Sequence, residues 1–165
     1  MATTNPADVL LAIDRWATRN LLDACRSLRD EQFHAGFEIG PGSLHDTITH
    51  ILGAQRGWTD VLTERPEPRV RLEQGTRSVD ELVELHGAVA DEFEAAARAG
   101  SPGDVLRPSR GGTTYTFTRG GILTHVTTHG VHHRAQCLNM MRAIGVVSLP
   151  MVSVVEWMMV AEPVE

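Results

Sequence analysis

Cysteine is scarce in this chain: Cys25 and Cys137 are the only two, too few to staple a fold with disulfides. Both stand among apolar residues in helical pattern, so both are expected as reduced core side chains. Long apolar runs are missing as well, and none reaches the roughly 18 residues that a membrane-spanning helix needs. The N-terminal MATTNPADVL has no basic stretch leading into an apolar one, so it does not read as a secretory signal and a cytoplasmic location is the default expectation. No cluster of basic residues offers the phosphate-neutralising patch of a nucleic-acid binder, and a formal net charge of −6 opposes that function. Repeats, low-complexity stretches and an interdomain linker are also lacking. The 165 residues are therefore expected to form one domain, residues 1–165, long enough to bury a core.

What the chain does have is helical punctuation. Asn5 can cap a first helix with Pro6 in its first turn, where a missing N–H costs nothing. Val9, Leu10, Ile13, Trp16, Leu21, Ala24 and Leu28 then recur at helical spacing, predicting a helix from about Pro6 to Arg29. After a Gly/Pro turn at 39–42, Ser43 stands three residues before Asp46 and opens a second helix, which Pro66 and Pro68 close. The polar stretch 65–77 is long enough to cross a bundle from end to end, so the helices it joins need not be antiparallel. Ser78 and Glu81 form a capping box for a third helix with Val79, Leu82, Leu85, Val89 and Phe93 inside, ended by Gly100 to Gly103. Residues 105–117 (VLRPSRGGTTYTF) predict a short hairpin or extended excursion. Thr118 caps a fourth helix running to about Ile144 and stopping at Gly145. The apolar tail 150–161 predicts a short helix lying on the bundle or at a dimer interface. Four long amphipathic helices make the expected architecture an all-α bundle.

Histidine is the compositional anomaly, with eight against a single tyrosine, four of them at 125, 129, 132 and 133. At about 100° per residue these four fall within one arc of the fourth helix, and Gln136 lies inside it. His129 and His133, four apart, bring their Cβ atoms to about 5–6 Å on one face. Two imidazoles so placed can share a metal, and a helix offers little more at one point, so a third ligand must come from elsewhere. His50, in the apolar stretch TITHILGAQ of the second helix, is the best candidate, because a buried imidazole needs a partner. The competing reading is a solvated polar face. It is weakened by Ile122, Leu123, Val126, Val131 and Leu138 around the same turns.

The segment HVTTHGVHHRAQ resembles the signature of the DinB/YfiT-like proteins, close to H-V-x-x-H-x-x-H-H-R-G-Q. SLHDTITHILGAQRGW, with its lone histidine and Trp58 two turns later, is similar to that family's second helix. The resemblance spans nearly the whole chain. It implies an up-down-down-up four-helix bundle with a long crossover between helices two and three. It also implies a metal held by His50, His129 and His133, with His125 and His132 outside the ligand set, and a homodimer. Zinc or nickel is the implied metal, with iron or manganese compatible. Two departures stand out: Ala135 replaces the usual Gly, and Ser153 stands where relatives often carry an Asp.

Three neutral imidazoles leave a position open, which is how catalytic sites are built. A cation there lowers the pKa of a bound water or thiol. Some relatives resemble thiol-dependent transferases and isomerases that use mycothiol or bacillithiol, which would make a low-molecular-weight thiol the nucleophile. Hydrolysis of a small substrate is a second chemistry. His125, His132 and Gln136 are candidates to orient a ligand or move a proton. Arg134 is expected as a surface or helix-packing residue, and Arg110 and Tyr115 can reach a pocket mouth. Trp16, Trp58 and Trp157 are expected in packing, as are Met140, Met141, Met151, Met158 and Met159. A non-catalytic metal-binding or stress-response protein, and a purely structural module with an empty histidine stripe, remain as competing functions.

Overall fold

A computed structural model describes residues 5–67 and 69–161. It is mostly helical: α1 (Pro6–Cys25), α2 (Asp30–Phe33), α3 (Leu44–Leu62), α4 (Val79–Arg98), α5 (Arg119–Ala143) and α6 (Val154–Val160), with a 3₁₀ turn at Leu72–Gln74. Between α4 and α5 lie four two-residue strands: β1 (Val105–Leu106), β2 (Ser109–Arg110), β3 (Thr113–Thr114) and β4 (Phe117–Thr118). β1 pairs with β4 and β2 with β3, both antiparallel, so the expected excursion is a short hairpin. Gly111 and Gly112 at its tip have φ of +58° and +80°, the left-handed region that glycine enters at no steric cost.

The helix starts lie where the capping residues place them. Asn5 accepts from Ala7 N, Ser43 from Asp46 N, Ser78 from Glu81 N and Thr118 from Gly121 N. Ser153 caps α6 in a box with Glu156, so the residue that departs from the family pattern starts the last helix. The ends are less regular. α1 stops at Cys25, not near Arg29, and a separate short turn of helix follows at Asp30–Phe33. α3 ends at Leu62, before Pro66. Pro68, the other proline assigned to closing it, lies outside the described residues.

Among the four long helices, α3 packs on α4 and α5, α1 packs on α4 and α5, and α4 and α5 make a smaller contact with each other. Two apolar clusters fill the interior. One joins Leu21, Leu22 and Cys25 of α1, Leu44, Ile48 and Leu52 of α3, Leu82 of α4, and Cys137, Met140 and Met141 of α5. The other joins Leu11, Leu62, Phe93, Ile122, Leu123 and Val126. Both cysteines are buried and free. α6 lies on α1, with Trp157 against Ile13 and Ala17. The expectation of a bundle-packed tail helix is met.

α1 corrects its expected inner face. Val9, Leu10, Trp16 and Ala24 are only half-buried, whereas Leu11, Asp14, Thr18, Leu21, Leu22 and Cys25 are buried. The seam includes two polar residues because Arg134 of α5, 1% exposed, needs them. Its Nη1 donates to Asp14 Oδ1 at 2.6 Å and to Thr18 Oγ1 at 3.0 Å. A buried guanidinium is tolerated only when paired in this way. Arg134 is thus a helix-packing residue and not a surface one.

Candidate metal centre

α3 and α5 face each other, and this brings His50 against His129 and His133. All three present Nε2 to a common point: His129 Nε2 lies 3.2 Å from His50 Nε2 and 3.1 Å from His133 Nε2. One ligand atom from each residue falls within 4.8 Å of the others, and among the described residues this is the group so arranged. His50 and His129 are half-buried and His133 is buried, so the cluster sits at the rim of the core with one side toward solvent.

The outward nitrogen of His133 sets its tautomer. His133 Nδ1 is 2.8 Å from Gln136 Oε1, and an amide oxygen accepts only, so that nitrogen carries the proton and Nε2 a lone pair. His50 Nδ1 faces Glu73 Oε1 at 3.5 Å. With a lone pair on His133 Nε2, His129 Nε2 can be hydrogen-bonded to one of its two neighbours at most, so at least one N···N approach near 3 Å is left without a hydrogen bond, an arrangement that a cation between the rings would relieve. The donor set fits a divalent ion of borderline softness, for which imidazole is a preferred ligand.

Charge state agrees with geometry. Burial, then the neighbouring imidazoles of His133, His50, His125 and His132, pushes His129 down to about 4. Burial also lowers His133, against an opposing effect of its bond to Gln136. Both rings are neutral at neutral pH, the form that binds metal.

The other candidates surround this trio. Gln136 holds His133 through its oxygen, and its Nε2 meets His132 Nε2 at 3.1 Å; the His132 ring also stands edge-on to that of His133, centroids 5.0 Å apart, with its nitrogens outside the cluster. Gln136 is covered by the 36–42 turn: a Cβ on Gly40 (φ +53°) would lie 2.2 Å from its Oε1. His125 is exposed and packs on Trp58, ring centroids 5.1 Å apart, with His129 at 5.6 Å. Tyr115 stacks on Phe117, and Arg110 is exposed on β2; neither hydrogen-bonds to nor stacks on the three histidines. Ala135 is exposed, so the Gly of the family pattern is not needed for packing there.

Two residues of this region carry no signal in the sequence. His45, 5% exposed, accepts from Arg77 N at 3.1 Å and meets Asp46 Oδ1 at 2.8 Å, joining the crossover segment to α3. Glu73, on the 3₁₀ turn of that segment, comes to His50 from outside the bundle. No periodic pattern points to either.

A mostly helical chain with a three-histidine cluster between two helices is the class defined so far. The model of the DinB family matches residues 1–161, and the chain belongs to that family. It is 20% identical over 146 residues to Protein DinB of Bacillus subtilis (strain 168), covering 82% of this chain and 84% of that protein.

Proposed function

We propose that this protein binds one divalent cation, zinc or nickel, through Nε2 of His50, His129 and His133, and that it is a metal-dependent enzyme using an exogenous thiol. The convergence of the three Nε2 atoms carries the reading. The host is one domain, an up-down-down-up four-helix bundle. That topology is supported by the core clusters: α1 and α5 begin in the cluster of Leu11 and Ile122 and end in that of Cys25 and Met141, while α3 and α4 run the other way.

When bound, the cation supplies Lewis acidity that lowers the pKa of a coordinated water or thiol. The residues do the rest. His50, His129 and His133 leave a position open toward solvent, Gln136 fixes the ring of His133, and His132 stands one hydrogen bond further out. Neither protein thiol suits nucleophilic work, because burial pushes Cys25 up to about 12 and raises Cys137 as well. A nucleophile must then come from outside, which favours a low-molecular-weight thiol over a cysteine of the chain.

Elemental analysis of purified protein tests the first half. About one metal per chain is expected, and less than about 0.1 in folded protein would overturn it. For the second half, cobalt-substituted protein is titrated with mycothiol and bacillithiol, and the visible absorption is followed. A changed spectrum is expected, whereas an unchanged one at millimolar thiol leaves a non-catalytic metal-binding protein.

A further inference from the structure

We propose that Glu73 is a positioning residue for the metal centre: its carboxylate accepts the Nδ1–H of His50 and aims that ring's Nε2 at His129 and His133. The proposal rests on the metal-binding reading above and extends it to a residue from a different part of the chain. Three observations carry it. Glu73 Oε1 stands 3.5 Å from His50 Nδ1, at the outer edge of hydrogen-bonding distance and on the side of the ring opposite the cluster. Room for it is made by Gly53, one turn along α3: a Cβ there would lie 2.8 Å from the same Oε1. The turn that carries it is anchored, since Leu72 is 3% exposed in the core and Arg77 Nη1 donates to Leu72 O at 2.7 Å and Gly75 O at 3.2 Å.

No arginine pairs with Glu73 among the described residues, so its carboxylate is left for the imidazole. The arrangement parallels that of His133, whose Nδ1 is held by Gln136. A ligating imidazole held at its far nitrogen keeps one tautomer and one orientation, and it becomes a stronger donor.

Zinc and nickel affinities of wild type, Glu73→Ala and Glu73→Gln are measured by competition with a chromophoric chelator. Glu73→Ala should weaken binding by about 10–100-fold, the usual effect of losing such a partner. Glu73→Gln, whose amide oxygen still accepts, should recover most of that loss. Gly53→Ala keeps the carboxylate but displaces it, on a helix that alanine favours, and should weaken binding in the same direction. In metal-free protein, ¹⁵N spectra of the histidines should show His50 protonated at Nδ1 in wild type and as a tautomer mixture in Glu73→Ala. Wild-type affinity in Glu73→Ala, or a Gln variant as weak as the Ala variant, would overturn the proposal. A wild type that binds no metal would instead remove the functional reading, while the ¹⁵N spectra still test the contact between Glu73 and His50.

Discussion

One step of helix register separates His132 from His133, and the side chains end in different places. His133 is buried with Nε2 in the cluster, whereas His132 is exposed, hydrogen-bonds to Gln136 and meets the ring of His133 edge-on. His129→Ala should therefore weaken metal binding by at least about 100-fold, since a ligand is lost and not merely its support. His132→Ala should change it little. Isothermal titration of both variants checks this, and the reverse ranking would shift the ligand assignment by one residue. Gly130, between them, answers a different demand. A Cβ there would lie 2.4 Å from Asp14 Oδ1 and 2.7 Å from Arg134 Nη1, a buried pair with nowhere to move. Gly130→Ala gains helix propensity of about 1 kcal/mol but overpacks at a cost of about 1–3 kcal/mol. Net destabilisation is expected in urea unfolding, and a stabilised variant would count against a rigid Asp14–Arg134 pair. The histidine grouping was legible because two imidazoles four apart share a helix face by geometry alone. The pairing of Asp14 with Arg134, the latter expected as a surface or helix-packing residue, was not, because a partner 120 residues away leaves no local trace.

α1 and α4 meet over another buried imidazole with different consequences. His86 is 4% exposed, and burial, together with the guanidinium groups of Arg15, Arg19 and Arg134, lowers it to about 4, with Asp23 opposing. A depressed folded-state pKa means that the neutral ring stabilises the fold above the unfolded value of 6.5, and that this contribution is lost as pH falls through about 4. The amount at stake is on the order of 3 kcal/mol. Urea unfolding of wild type and His86→Leu between neutral pH and pH 4 should show the variant losing less stability than wild type. Parallel losses in the two proteins would mean that His86 is not neutral in the folded state. At this scale the sequence was most informative at helix starts, where Asn5, Ser43, Ser78, Thr118 and their hydrogen bonds are local. It was least informative where tertiary contacts decide. The interruption of α1 after Cys25 and the 3₁₀ turn that carries Glu73 depend on packing, and neither leaves a periodic trace.

Across the whole molecule, the crossover between α3 and α4 sets what the bundle can do. It lays Leu72 and Glu73 beside α3. The length of segment 65–77 made a long connection legible, but not which side chains it would deliver. One face is left uncovered by the described residues. On α6, Val155 and Met159 are 60% and 78% exposed, and Met151, Val154, Met158 and Val160 extend the apolar surface around them. Val155 and Met159 are four apart, so they share one side of the helix, opposite in role to Trp157, which faces α1. A contiguous apolar patch of this kind on a small protein is a common mark of an interface. Pairing two copies through α6 would bury it, in keeping with the homodimer that the family resemblance implies. Sedimentation equilibrium of the wild type at micromolar concentration should give a dimer. Val155→Asp combined with Met159→Asp should give a folded monomer with unchanged metal content, because α6 contributes no ligand to the histidine cluster. A monomeric wild type, or a double variant that remains dimeric, would place the partner surface elsewhere.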